Sequence, residues 1–331
     1  RGPITKEEFG NLPIADIAKK LQNEWAPEKL SKQNKSDDFL NPLNAEGLGD
    51  LLRIDIPKRL QDYINNANLF FARDILDQHY TYSFLRGVQE VLRGDKTSTA
   101  GVNYDGLITL CTTITKSGES ASFDHRARER DTFDAWLSGW MGVYSSIADV
   151  IQELIGEDNG KTAVDFPKYR DALFIIISHL FSYPDPAPED KTEEQSDPYT
   201  AAINTARGRA FQAFTLFVYQ DGKRFAKEEK TKLYPDVKEL YETVLKNEKT
   251  RALMFMFGHY FPSFHFRDKE WTRGLLSQIF HTDSDKKDLY LAAWEGYLAN
   301  NLYQEIFLNP DIQKLYERGL AITPDEYTKR R

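Results

Sequence analysis

From Phe133 onward the large apolar residues fall at Leu137, Trp140, Tyr144, Ile147, Ile151 and Leu154, in steps of 4, 3, 4, 3, 4 and 3. Such spacing lines seven bulky side chains along one stripe of a helix about six turns long, stopping near Gly156. Trp136, Met141, Val143, Ala148 and Ile155 widen the stripe, so the segment predicts a central helix that touches neighbours on more than one side. The same period recurs elsewhere. Between Asp197 and Tyr219, Asp197 stands as an N-cap and Pro198 takes the first helical position, while Ile203, Ala206, Ala210, Ala213, Phe214 and Phe217 share one face. Further helices are predicted over Ile14–Trp25, Leu48–Ala67, Asn68–Leu92, Tyr104–Ile114, Tyr169–Phe181, Val237–Leu245, Thr250–Phe261, Glu270–Phe280, Asp288–Phe307 and Ile312–Leu320. Thr323-Pro324-Asp325-Glu326 has the spacing of a capping box with proline at the first helical position. The best strand signal, Ile108–Ile114, is rich in Thr and Ile but fits a buried helix equally well.

About a dozen helices joined by short connections, with no alternation of strands, define an all-α protein. Adjacent helices would pair as hairpins, and the expected architecture is an irregular, α-solenoid-like helical-hairpin array without substantial sheet. No repeat of fixed period occurs and the tetratricopeptide and ankyrin patterns are absent, so any repeats are degenerate. Residues 183–197 interrupt the pattern with three prolines, six acidic residues and one lysine. Such a stretch buries too little apolar surface to offset its ordering entropy and is expected to be a solvated, acidic, Pro-rich loop. It separates an N-terminal helical-hairpin half, residues 1–182, from a C-terminal helical half, residues 198–331, read together as one continuous array. A long inter-helix loop and a domain boundary both stay open for it. Gly94–Gly101 is a shorter break of the same kind.

Composition narrows the function classes. A chain of 331 residues that is 40% apolar, with 17 Tyr and 21 Phe, folds rather than staying disordered. Its single cysteine, Cys111, excludes an internal disulfide framework and a multi-cysteine zinc site, and suits a reducing, cytoplasmic setting. A net charge of −8 argues against a nucleic-acid coat. No run approaches eighteen uninterrupted apolar residues, so no membrane span is expected. The opening Arg1-Gly2-Pro3 has neither an initiator Met nor a signal peptide's apolar core, and reads as the start of a piece of something longer.

No segment nominates a catalytic centre, a cofactor site or a metal site. Gly156-Glu157-Asp158-Asn159-Gly160-Lys161-Thr162 has three residues between its glycines where a nucleotide loop needs four, and it follows a helix; it reads as a helix end and turn. Of the six histidines only His259 and His265 lie close in sequence, inside an aromatic run, and both read as packed core histidines. His125 to Asp131 concentrates Arg126, Arg128 and Arg130 but interleaves them with acids, the pattern of a solvated face. Arg207-Gly208-Arg209 is more informative. Glycine inside a helix costs roughly 1 kcal/mol relative to alanine, so Gly208 implies close approach by a neighbouring helix, with two guanidinium groups free to bridge carboxylates.

Four stretches carry a family likeness. They are Glu46-Gly47-Leu48 with Tyr82-Ser83-Phe84-Leu85-Arg86-Gly87-Val88; Asp197 to Ala210, reading DPYTAAINTARGRA; Arg251 to Phe261, with Gly258; and Ala292-Ala293-Trp294-Glu295-Gly296-Tyr297-Leu298 followed by Asn301-Leu302-Tyr303 and Leu315-Tyr316-Glu317-Arg318-Gly319. In this order, over residues 10–320, they resemble the C-terminal helical sensor region of bacterial antiviral STAND NTPases, the AVAST group, and of related large defence proteins. The resemblance implies a cytoplasmic, non-enzymatic recognition scaffold of a larger defence protein. Its partner would be a viral protein such as terminase or portal, or other domains of the parent chain, with ATP hydrolysis and effector activity residing outside this chain. It marks Asp197, Pro198, Asn204, Arg207, Gly208, Arg209, Trp294, Gly296 and Tyr297 as a structural motif. Two alternatives stand beside it. One is an effector or hydrolytic domain whose active site assembles only in the fold; the other is a nucleic-acid-binding helical array using Arg126, Arg128, Arg130 and Lys223-Arg224.

Overall fold

The computed structural model describes residues 1–34, 41–72, 75–94, 99, 101–118, 138–158, 160–190, 193, 196–225 and 232–321. Phe133, Trp136 and Leu137 of the first predicted helix, the arginines Arg126, Arg128 and Arg130, most of the Gly94–Gly101 break and the Thr323–Glu326 capping box lie outside the described residues. Among the described residues there are eighteen α-helices, a few 3-10 turns and no β-strand, so the fold is all-α. The chain divides into two compact units, Arg1–Tyr183 and Pro184–Arg331.

The first unit holds α1 (Lys6–Gly10), α2 (Ile14–Gln22), α3 (Pro27–Gln33), α4 (Ala45–Asp55), α5 (Leu60–Asn65), α6 (Gln78–Arg93), α7 (Asp105–Gly118), α8 (Trp140–Ile155) and α9 (Phe166–Ser182). Helix α6 packs against both α4 and α8 and buries Tyr80, Phe84, Leu85, Val88 and Leu92 completely. Leu48 and Leu52 of α4 and Val143, Ile147 and Ile151 of α8 complete this core. Each such side chain contributes roughly 1.5–3 kcal/mol by leaving water. Phe70 stacks on Phe84 with ring centroids 4.6 Å apart. The buried Asp55 carboxylate accepts hydrogen bonds at Oδ2 from Arg59 and, at 2.8 Å, from the Tyr63 hydroxyl, so the buried charge has an ion-pair partner.

Several predicted helices end or begin elsewhere, each for a local reason. Leu48–Ala67 is interrupted by a 3-10 turn, Ile56–Lys58, because Pro57 has no N–H to give an α-helical ladder. Asn68–Leu92 resolves into a 3-10 turn, Ala67–Phe70, and α6, whose start is set by Asp77 accepting from the His79 amide at 2.9 Å. The strand signal at Ile108–Ile114 is helix α7. Its threonine hydroxyls donate one turn back, Thr109 to Asp105 O, Thr112 to Ile108 O and Thr113 to Thr109 O, each at 2.8 Å, which accommodates the β-branched residues in a helix.

The second unit comprises α10 (Pro198–Asn204), α11 (Ala206–Gly222), α12 (Pro235–Asn247), α13 (Arg251–Arg267), α14 (Lys269–Gly274), α15 (Leu276–Ile279), α16 (Lys287–Leu298), α17 (Gln304–Phe307) and α18 (Pro310–Leu320). Helix α13 is its core. Residues 252–258 are buried without interruption, so this helix is covered on every side, by α10, α11 and α16 among others. One aromatic cluster joins Phe211, Tyr241, Phe257, Phe264 and Trp271, and a second joins Phe261, Phe280, Trp294, Tyr297 and Tyr316. The aromatic excess of the sequence is spent here.

Several sequence expectations are corrected in this unit. The single helix predicted from Asp197 to Tyr219 is two helices, broken at an extended Thr205 (φ −109°, ψ 154°). The acidic segment after Tyr183 is not a solvated loop throughout: Asp185 is 3% and Glu193 5% exposed, and both are tied to helix starts. Charged residues alone cannot bury themselves, but carboxylates that satisfy the orphan amides of a helix N-terminus can. Likewise α13 continues through Pro262 to Arg267, and the Asp288–Phe307 helix stops at Leu298, where the Asn300 side-chain amide reaches His259 O at 2.7 Å and Gly296 O at 3.2 Å.

Candidate functional site

The Arg207 motif and the acidic segment meet at the start of α11. Asp185 Oδ2 accepts from the Ala206 amide at 2.7 Å, and its backbone carbonyl accepts from the Arg207 amide at 2.9 Å. The Arg207 guanidinium donates to Pro186 O at 3.1 Å and to Glu248, whose side chain is wholly buried. Glu248 also accepts from the amides of Lys249 (3.0 Å) and Thr250 (2.7 Å) and from the Thr250 hydroxyl. Three of these donors converge on Oε1 and Arg207 takes Oε2, so both carboxylate oxygens are engaged. Glu193 caps α13 by accepting from the Ala252 amide at 2.8 Å, and its own carbonyl receives Arg251 at 2.9 Å. Burial pushes the Glu193 carboxyl above the usual carboxylate range. Chemically this constellation fixes helix starts; its oxygens are consumed by protein donors.

The other motif residues are placed around it. Asp197 caps α10, accepting from the Thr200 amide at 2.9 Å, and Pro198 follows buried at the first helical position. Asn204 is exposed and bonds Thr200 O, while Arg209 Nε reaches back to Ile203 O at 3.0 Å across the break. Gly208 faces the backbone of α10, where a Cβ would lie 1.8 Å from Ala202 O. Trp294, Gly296 and Tyr297 sit apart from this group, on α16. Gly296 faces Phe255 O of α13, and Gly258 of α13 faces Ala293 O of α16, so the two backbones touch. Trp294 and Tyr297 stack on one another and take Tyr316 of α18 edge-on, Trp294 at 5.0 Å.

Hydrogen bonding by Thr200 holds the Asp197 carboxyl below its ordinary value of 3.8. A depressed carboxylate stabilises the fold above its ordinary range, and this contribution is lost as the pH falls through the folded-state value. We expect Asp197→Ala to cost about 1 kcal/mol at neutral pH. In urea titrations the gap between wild type and variant should shrink by pH 3; an undiminished gap would show that the cap is not ionised.

The remaining candidates of the sequence stay scattered. His265 is buried and shares a 2.9 Å hydrogen bond with Thr272, while His259 stacks on Phe255; burial lowers the basicity of both. Cys111 is buried in α7, and burial pushes its thiol up to about 12, far from a nucleophile at neutral pH. The Gly156–Thr162 stretch is a turn closed by Asp158 and Lys161, with Gly160 at φ 75°. Arg224 is paired with Asp221 at 2.9 Å and lies over the Tyr234 ring. Among the described residues no three His, Cys, Asp or Glu side chains converge as metal ligands, and no helix is long and apolar enough to cross a membrane.

Sequence reasoning missed one feature, a cleft of about 310 Å³ in the second unit. Tyr219 at the end of α11, Pro262, Ser263 and Phe266 on α13, and Tyr303 to Ile306 around α17 line it. Phe266 is 61% exposed and Tyr303 46%. An aromatic residue reads as core in a periodicity count, and only the fold shows that these rings face outward. Comparison with protein families, with curated proteins and with solved structures returns no match to this chain.

Proposed function

We propose that this chain is a helical recognition scaffold that binds another protein, and that the partner is a viral protein such as terminase or portal, met by a larger antiviral defence protein. The observation that carries the recognition reading is what stays outside after folding. Among the described residues, Phe266, Leu298, Leu302, Tyr303, Leu308 and Leu320 of the second unit are all exposed, alongside Tyr199 and Tyr219. Exposed aromatic and aliphatic side chains of this kind are the stuff of protein interfaces. The carboxylates of Asp185, Glu193 and Glu248 accept from the amides of helix starts. The likeness of the DPYTAAINTARGRA and AAWEGYL stretches to sensor regions of antiviral STAND NTPases is the ground for naming a viral partner.

Purified chain mixed with purified phage large terminase subunit, and separately with portal, tests this by calorimetry and gel filtration. A complex with one of them, tighter than about 10 μM and weakened by Leu302→Glu, is the expected outcome. Absence of any complex with either protein would sink the viral assignment.

A further inference from the structure

His265 closes the corner between α13 and α14. Its imidazole is buried and tilted against Phe261 with ring centroids 5.4 Å apart, and its Nδ1 lies 2.9 Å from the Thr272 hydroxyl. Thr272 is itself wholly buried and has one hydroxyl proton, which the carbonyls of Asp268 at 2.8 Å and Lys269 at 3.2 Å are placed to receive. The ring nitrogen is therefore the donor of the shared bond. Asp268 in turn caps α14, accepting from the Trp271 amide at 3.1 Å, and pairs with Lys238 of α12 at 2.6 Å. One chain of polar contacts thus runs from His265 through the start of α14 to α12.

With Nδ1 already carrying a proton, a second one enters at Nε2. The surroundings are set against it. Burial opposes a cation first, Lys269 and then Arg273, both on α14, oppose it further, and Glu305 of α17, itself paired with Lys269, favours it. Tyr219 of α11 and Tyr303 are the other titratable groups that line the cleft His265 borders. A positive imidazole here would stand against two cations on the helix that its neutral form holds.

We propose that His265 is a proton-operated latch: the neutral ring fastens α14 to α13, and its protonated form loosens that corner in mild acid. Burial and the two neighbouring cations keep the imidazole below its ordinary value of 6.5. Its contribution to stability is therefore present above that value and is lost as the pH falls through the folded-state value. Burial also lowers the basicity of His259 and His281, while it raises the Glu193 carboxyl, which acts in the opposite sense. All three stay in place in the variants below, so the comparison isolates His265.

The test uses the full chain and hydrogen exchange read by mass spectrometry on peptides spanning α14, at about pH 7.5 and 5.5 with intrinsic rates corrected. In His265→Asn the side-chain amide keeps a donor near the position of Nδ1 and cannot titrate. Acid should lower protection in wild type about three- to tenfold more than in this variant; tenfold per pH unit is the limit for one linked proton. Lys269→Gln, an exposed change that removes an opposing cation, should also lose less protection than wild type. Hydrogen exchange at C2 of the wild-type His265 ring gives its titration midpoint directly, expected below 6.5 and higher in Lys269→Gln. The latch is overturned by an equal acid loss in wild type and His265→Asn, by no loss in wild type, or by a midpoint at or above 6.5. If His265→Asn does not fold, an acid loss in Lys269→Gln equal to that of wild type overturns it.

Discussion

Gly258→Ala is expected to destabilise the second unit by about 3 kcal/mol, even though alanine is the better helix former by about 1 kcal/mol. The sign follows from where the methyl would go. An ideal Cβ at Gly258 lies 1.8 Å from Ala293 O and 2.7 Å from its carbonyl carbon, inside the backbone of α16. Backbone cannot rotate aside as a side chain does, so α13 and α16 must part, and Gly296 against Phe255 O on the same contact loosens with them. Separating the pair also uncovers Phe261 and Tyr297, whose rings meet at 6.1 Å across it. Gly274→Ala is the control, because a Cβ there meets nothing within 4 Å. It should be neutral or slightly stabilising. Two units make a single unfolding transition an unsafe assumption, so hydrogen exchange read by mass spectrometry on α13 and α16 peptides is the appropriate measurement. Equal protection in Gly258→Ala and wild type would refute the backbone contact.

The same contact shows what was legible in the chain beforehand. Amphipathic helices such as α2 and α12 declare themselves by spacing, because one face is buried and the other is wet. Helix α13 carries no such contrast: residues 252–258 are buried on all sides, so only its composition and its Thr250 cap mark it. Pro262 suggested an end that the helix passes, since packing around α13 outweighs one missing hydrogen bond. Arg207-Gly208-Arg209 stood out in the sequence because glycine inside a helix needs a reason. Its partner turned out to be the carbonyl of Ala202, across a break at Thr205 that the spacing of apolar residues could not reveal. Asp185, twenty-one positions before Ala206, accepts the first amide beyond that break, and no local pattern encodes the contact. Composition likewise described residues 183–197 as acidic and solvated without showing which carboxylates would be drawn inward. The outward aromatic rings of the cleft were invisible for the complementary reason: exposure is a property of neighbours.

Removing the Glu248 carboxylate should cost as much as truncating a buried aromatic ring of the second unit. Glu248→Ala is expected to cost about 3–5 kcal/mol, the range for removing one partner of a buried pair. Two losses combine. The Arg207 guanidinium, with its side chain 14% exposed, keeps its bond to Pro186 O but loses the Glu248 carboxylate. The Thr250 amide and hydroxyl and the Lys249 amide lose their acceptor at the entry to α13, the helix on which the unit is built. Replacing both partners separates these contributions. Arg207→Met with Glu248→Met removes the charges together, so it should be less destabilising than Glu248→Ala, with a coupling of about 1–3 kcal/mol in a double-mutant cycle. Glu248→Gln keeps an acceptor for Thr250 and should fall between wild type and Glu248→Ala. Hydrogen exchange of α11 and α13 peptides across a urea series reports on the unit that holds all of these residues. A loss below about 1 kcal/mol in Glu248→Ala would mean that water replaces the carboxylate, and that the Arg207 pair, the reason advanced for the motif, does not hold the start of α11 to the start of α13.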